Sequence, residues 1–366
     1  MILEILIPTY RRPIEALRAI DSVIQSNDKR VGVACHSNGI EPYLEAEILH
    51  RPVVRYNSFS KNLGVVANLR ELLSESRAEY VMFLSDEDSI AINYLSNFVD
   101  FLSQGDYGFI FCSVIDFTGK NYFSISPLHR NSLTLDEVLM LFPIDPTYLS
   151  GYCFKRDLIT MDLILKVFDD NHANVYPHLI LRNEIINHGK IGIFPPNLII
   201  KGRESKSGGD SHSHLEGRAE TSKARDSIVL GLNPRIYGPA ARVAQFAYMS
   251  PLFDSWFATL PLPKRVFGMA YLLSAWLKIT SDAGKLTLDD VDPENISIVI
   301  DGVRHTNESA NLLFDLFSSI ILIRHQRLKF FIINLFWGMS KIIKLALFFR
   351  YFGIAQSIAF LKSKYG

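Results

Sequence analysis

Tyr80-Val81-Met82-Phe83-Leu84-Ser85-Asp86-Glu87-Asp88 is the stretch on which the reading of this chain turns. Five apolar residues in a row, long enough for a strand and too short for a helix, predict a buried strand. Three acidic residues follow at once. If the extended geometry continues, Asp86 and Asp88 point to one side, because residues i and i+2 of a strand share a face. Two carboxylates so placed suit Mg²⁺ or Mn²⁺, hard cations that prefer oxygen ligands. The bland alternative is a solvated acidic turn that caps the next helix.

Working outward, the preceding residues alternate strand and helix patterns. Ile2 to Ile7 is a short β-branched run closed by Pro8. Pro13 suits a first helical turn, and Ile14, Leu17, Ile20 and Ile24 recur at helical spacing. Val31 to Cys35 and Val53 to Tyr56 read as strands, and Leu63, Val66, Leu69 and Leu73 as a second amphipathic helix. This order predicts βαβ units, an α/β fold with a mostly parallel, Rossmann-type sheet flanked by helices. Ligands of such sheets bind beyond the carboxyl ends of the strands. Three polar clusters fall at those ends: Thr9 to Arg12, His36 to Asn38 and Ser85 to Asp88.

Downstream, Phe109 to Phe117 and Tyr122 to Ile125 read as strands around a Thr118-Gly119 turn, Thr134 and Glu137 as a capping box, and Ile191 to Ile200 as the last strand. Residues 202 to 222 are rich in Gly, Ser, His and charge, with few apolar residues. That composition predicts a mobile lid or a plain polar linker. In the lid reading Arg203 and Arg218 would grip a diphosphate, and His212 or His214 would complete a metal shell. From 223 to 366 the pattern is helical.

The composition narrows the function. The 366 residues carry 38 Lys+Arg and 38 Asp+Glu, so the net charge is zero and no basic excess points to nucleic acid. Cys35, Cys112 and Cys153 lie far apart, which indicates neither a zinc knuckle nor a disulfide framework, and fits a reducing compartment. The first apolar run is broken by Glu4 and is too short for a signal peptide.

With these residues in place, a family resemblance becomes specific. Ile7-Pro8-Thr9-Tyr10 followed by Arg11-Arg12-Pro13, then Asn62-Leu63-Gly64 with Asn68, then Tyr80 to Asp88, and finally Ser150-Gly151-Tyr152, resemble the successive motifs of family 2 glycosyltransferases with the GT-A fold. The resemblance covers roughly residues 1 to 200. It implies a nucleoside-diphosphate sugar donor, UDP-sugar favoured, transfer to a glycan or polyprenyl-linked hydroxyl, and inversion at the anomeric carbon. Pro8, Thr9, Tyr10 and Arg12 would line the nucleotide pocket. Asn38 would stand where the family often has an Asp that contacts the base. Asn62 and Asn68 would hold the nucleoside, and Asp86 would sit near ribose or metal. Asp88 would bind Mn²⁺ or Mg²⁺, and Ser150, Gly151 and Tyr152 would line the acceptor side. The domain boundaries that follow are 1–222 for the catalytic domain, with a donor half of about 1–116 and an acceptor half of about 117–200, and 223–366 for the helical region.

One departure is evident. The family commonly carries a Glu-Asp pair in the acceptor half, and Tyr176-Pro177-His178-Leu179 stands there instead. His178 is a general-base candidate because a neutral imidazole can accept a hydroxyl proton; Asp169 and Asp170 are rivals, and a plain surface histidine is the alternative.

The tail from Leu328 is very apolar, with Asn334, Gly338, Lys341 and Lys344 on one narrow helical face. Two central lysines argue against a full span and for a helix in the membrane interface, the alternative being a buried or intersubunit helix. The tail 328–366 would then place the protein on the cytoplasmic face of the cell membrane. A sugar nucleotidyltransferase would need a Gly-rich phosphate loop after the first strand, which Pro8-Thr9-Tyr10 replaces, and a non-catalytic membrane-bound scaffold of the same fold would bind no metal-dependent nucleotide. No Gly-x-Gly-x-x-Gly or Gly-x-Ser-x-Gly segment supports a dinucleotide oxidoreductase or a nucleophilic hydrolase.

Overall fold

The computed structural model describes residues 1–123, 131–135, 137–138, 148–168 and 176–202. The lid expected beyond Gly202, with Arg203, His212, His214 and Arg218, lies outside the described residues, as do Asp169, Asp170, the helical region and the tail.

The donor half is built as the alternation predicts. Strand β1 (Leu3–Thr9) is buried along its whole length and pairs in parallel with β2 (Val31–Ser37) on one side and β4 (Tyr80–Phe83) on the other; β2 pairs in parallel with β3 (Val54–Ser58). Strands buried on both faces need apolar residues at successive positions, which the Leu3–Ile7 run supplies apart from Glu4. Glu4 is tolerated because Arg55 of β3 forks onto its carboxylate at 3.2 and 3.3 Å, and Arg55 also pairs with Glu75.

Helix α1 (Pro13–Ile24) has Pro13 at its first position and packs through Ala16, Leu17, Ala19, Ile20 and Val23. The face is rotated from the expected one: Ile14 is 62% exposed. The small Ala16 and Ala19 let the helix lie close to the sheet. Helices α2 (Pro42–Ile48) and α3 (Gly64–Glu75) complete the crossovers.

The acceptor half holds the main departures. The sheet runs β3-β2-β1-β4-β9-β6-β10-β5. Strand β6 is Tyr107–Asp116 and β10 is Lys190–Lys201, paired in parallel. Between β4 and β6 lies β9 (Tyr152–Lys155), antiparallel to both, where the sequence reading had only a turn. Two-residue β5 (Ser89–Ile90) pairs antiparallel with the end of β10. Helix α4 (Ile92–Gln104) covers β10, and α5 (Met161–Val167) and α6 (Pro177–Ile185) pack on each other. The short β7 (Asn121–Phe123) closes a hairpin on β6 through Gly119, and β8 (Ser132–Leu133) joins β10. The capping box is present: Thr134 N–H donates to Glu137 Oε2 at 2.9 Å, and Glu137 N–H to Thr134 Oγ1 at 3.3 Å. All three cysteines are free and buried.

Candidate active site

The carboxyl ends of β1, β2 and β4 lie side by side, and a side-chain amide ties those of β1 and β2 together. Asn68 Nδ2 reaches the carbonyls of both Thr9 (3.3 Å) and His36 (3.1 Å). Asn38 N–H donates to Thr9 O at 2.8 Å, while Asn38 Oδ1 accepts from Leu63 N–H at 2.8 Å. Asn62 Oδ1 accepts from Gly64 N–H at 2.9 Å and sets the entry to α3. These amides, chosen as donor contacts, thus all bind main chain and fix the shape of the crevice floor. Pro8 ends the apolar run, and Tyr10 lies against Gly39, where an added Cβ would stand 3.6 Å from the ring. Arg11 adopts φ 55° with its guanidinium over Tyr10.

The acidic segment departs from the sequence expectation. Strand β4 ends at Phe83 and the chain turns, with Asp88 N–H donating to Ser85 O at 3.0 Å. Strand alternation therefore does not extend to Asp86 and Asp88, and the two carboxylates face different halves of the domain. Asp86 looks toward β1: it accepts from Thr9 Oγ1 at 2.8 Å and from Arg12 Nη1 at 3.2 Å. Arg12 also reaches Glu87 at 3.4 Å. Asp88 looks toward the acceptor half. It accepts from Tyr148 Oη at 2.5 and 2.6 Å, from Ser150 Oγ at 2.5 Å and from Gly202 N–H at 2.9 Å. Ser150 Oγ in turn accepts from Ser85 N–H at 2.8 Å, so one hydroxyl locks the turn to its aspartate.

Burial sets the electrostatics. Asp86 is 5% and Asp88 2% exposed. Loss of water pushes the Asp86 carboxyl up to about 6, with Arg12 and Thr9 pulling back. The same cause raises Asp88 and Glu87, and the Ser150 and Tyr148 hydroxyls oppose it at Asp88. Asp86 has a guanidinium partner, whereas no Lys, Arg or His among the described residues forms an ion pair with Asp88. No group of three or more His, Cys, Asp and Glu side chains arranged to hold a metal occurs among the described residues.

On the acceptor side, Gly151 takes φ 88° and donates to Phe83 O at 3.0 Å; a side chain there would meet Ile199 at 3.2 Å and Cys112 at 3.3 Å. Tyr152 opens β9, and its ring meets His178 edge-on at 5.0 Å. His178, in the first turn of α6, is 4% exposed and also lies 5.9 Å from Tyr176. The structure thus brings Ser150 to the acidic turn, while Tyr152, 1% exposed, packs in the core on Phe109, Phe154 and His178. The sequence reading did not single out Tyr148, Tyr122, Lys201 or the amide of Gly202. All four lie at or next to predicted features: Tyr122 opens a predicted strand, Tyr148 stands two residues before the Ser-Gly turn, Lys201 follows the predicted last strand and Gly202 opens the predicted lid.

Residues 4–162 match the family described as Glycosyl transferase family 2. No curated protein matches the chain. Among solved structures, the chain is similar to S. aureus TarS 1-349 in complex with UDP, at 10% identity over 88% of this chain and 90% of that one, TM-score 0.49. It is also similar to the mannosyltransferase PcManGT from Pyrobaculum calidifontis in complex with GDP-Man and Mn2+, at 13% identity over 94% and 86% of the two chains, TM-score 0.45. The strand-end crevice and the acidic turn that closes it both lie within residues 4–162, the part of the chain that is similar to family 2 glycosyltransferases.

Proposed function

We propose that the protein transfers a sugar from a nucleoside diphosphate, with UDP-sugar the favoured donor, to a hydroxyl of a glycan or lipid-linked acceptor, with inversion at the anomeric carbon. The observation that carries the donor site is the turn Ser85–Asp88. It sets two buried carboxylates at the convergence of three parallel strand ends, one of them without a cationic partner among the described residues.

The donor set fits Mn²⁺ or Mg²⁺. Both favour oxygen, and Mg²⁺ usually takes one or two carboxylates together with substrate phosphates rather than an all-protein cage. A buried carboxylate held only by neutral donors is matched to an incoming cation. Asp88 would hold the ion, with Asp86 turned to the nucleotide side by Thr9 and Arg12, and His212 or His214 would complete its shell. When bound it supplies positive charge against the diphosphate leaving group.

The chain's own residues do the rest. Pro8, Thr9, Tyr10 and Arg12 line the nucleotide side, with Asn38, Asn62 and Asn68 holding the loops that shape it. Arg12 keeps Asp86 ionised and oriented. Ser150, Gly151 and Tyr152 form the wall on the acceptor side. His178, or one of Asp169 and Asp170, accepts the acceptor's hydroxyl proton. Arg203 and Arg218 close over the donor and exclude water. The tail 328–366 docks the enzyme on the cytoplasmic membrane face, bringing the crevice to a lipid-linked acceptor. Among the described residues, no helix is long and apolar enough to cross a membrane.

The test is release of nucleoside diphosphate from a panel of sugar nucleotides, with Mn²⁺ and then with excess chelator. Activity that chelation abolishes and Mn²⁺ restores supports the reading, and full activity in chelator removes the metal from it. Flotation with anionic liposomes, comparing the full chain with one ending near residue 325, decides the docking: an intact protein that stays unbound at low salt contradicts it.

A further inference from the structure

Lys201 is the last residue of β10, and the antiparallel pairing of Ile200 with Ser89 brings it beside the acidic turn. Its ammonium lies 4.5 Å from the centroid of Tyr122 and 5.5 Å from that of Tyr148. The two rings are 5.0 Å apart, tilted by 55°. Tyr148 bonds Asp88 through its hydroxyl, and the next residue, Gly202, bonds Asp88 through its amide. Lys201 therefore stands about one aromatic ring away from Asp88.

Lys155 and Lys166 meet the carboxylates of Asp106 and Glu184, and Lys190 lies over the single ring of Tyr107 at 4.9 Å. Lys201 is half-buried and rests on two π faces instead. Aromatic faces attract and orient an ammonium without neutralising it. A cation held this way keeps its charge for a ligand and has little rotamer freedom left to lose. Arg12 flanks the turn from β1 and is already committed to Asp86 and Glu87. An anion placed at the turn meets three carboxylates and needs a further cation on the β10 side, where Lys201 stands.

We propose that Lys201, seated on Tyr122 and Tyr148, is a phosphate-binding residue of the donor site that takes up the charge developing on the departing diphosphate. In the step it serves, the acceptor oxygen forms a bond to the anomeric carbon and gives its proton to the general base. The bond from that carbon to the diphosphate oxygen breaks, and its electron pair stays on the diphosphate, opposite the ammonium. The assignment rests on the donor reading above and adds a protein cation to it.

Calorimetric binding of UDP or GDP, whichever the wild type binds more tightly, and of the matching nucleoside without phosphates, with Mn²⁺ present throughout, tests it on the full chain. Lys201→Met is expected to bind the diphosphate about tenfold more weakly or worse, with nucleoside affinity unchanged, since a hydrogen bond to a charged group is lost. Lys201→Arg keeps the charge and the aromatic stacking and is expected to restore most of the affinity. Unchanged diphosphate affinity in Lys201→Met overturns the proposal. So does an equal loss for nucleoside and diphosphate, which would mark a structural role, and so does an effect confined to acceptor KM. A wild type that binds neither diphosphate overturns the donor reading itself.

Discussion

Gly202 offers a sharp test of how the two halves of the domain meet. A Cβ at this position would lie 1.8 Å from the carbonyl oxygen of Glu87, where real Cβ contacts essentially never fall below 3.0 Å. The obstacle is backbone, so it cannot rotate away. In Gly202→Ala the end of β10 and the acidic turn must part by at least about 1.2 Å. The 2.9 Å bond from Gly202 N–H to Asp88 would then stretch to roughly 4 Å, beyond hydrogen-bond range. A bond to a charged group contributes about 1.5–3 kcal/mol, so near 2 kcal/mol is lost at the turn, equivalent to about thirtyfold in donor affinity or rate. Calorimetry with nucleoside diphosphate and a transfer assay read this effect. Gly119→Ala is the control. It also imposes strain, at φ 84°, but its Cβ meets nothing within 4 Å and it sits in the hairpin turn. It should cost about 1 kcal/mol of stability and leave donor binding intact. Wild-type affinity and rate in Gly202→Ala would refute the abutment of β10 on the acidic turn.

Two further outcomes follow from buried polar groups. Ser150→Ala strips a donor from Asp88 and an acceptor from Ser85 N–H, so denaturant unfolding should show a loss of about 1–3 kcal/mol; a change below about 0.5 kcal/mol would mean the hydroxyl is not shared as described. His36 is 1% exposed, its Nδ1 has no hydrogen-bond partner, and burial lowers its pKa from the ordinary 6.5. A group with a depressed folded pKa keeps its stabilising contribution above pH 6.5 and loses it as the pH falls toward the folded value. Unfolding free energy should therefore decline below pH 6.5 in the wild type and decline less in His36→Leu; parallel pH profiles would contradict this.

How much of this was legible in the sequence depends on the range of the interactions involved. The donor half was readable because each strand is a local apolar run and each helix a local periodicity, and the polar residues at the strand ends mark the crevice directly. The Thr134-Glu137 capping box was equally local. Asp86 and Asp88 do not share a strand face because the extended backbone ends at Phe83 and the chain turns at Ser85–Asp88. Strand β9 escaped notice because Tyr152, Cys153 and Phe154 are all buried and show no alternation; only pairing with β4 and β6 makes them a strand. The partners of Asp88 escaped for the same reason of distance. Tyr148 is 60 and Gly202 114 positions away, and no local pattern ties either to the acidic turn.

Whether the acidic turn is the donor site is decided by Asp88→Asn. The amide leaves one oxygen where the carboxylate had two, in front of three donors from Tyr148, Ser150 and Gly202. It also removes a buried charge, so the two effects on stability oppose each other and the fold should survive. The measurement is a calorimetric titration of nucleoside diphosphate with Mn²⁺ into wild type and Asp88→Asn, with circular dichroism to confirm folding. The account predicts metal-dependent binding in the wild type, lost in a folded Asp88→Asn. Binding of equal strength and equal metal dependence in the two proteins would contradict it.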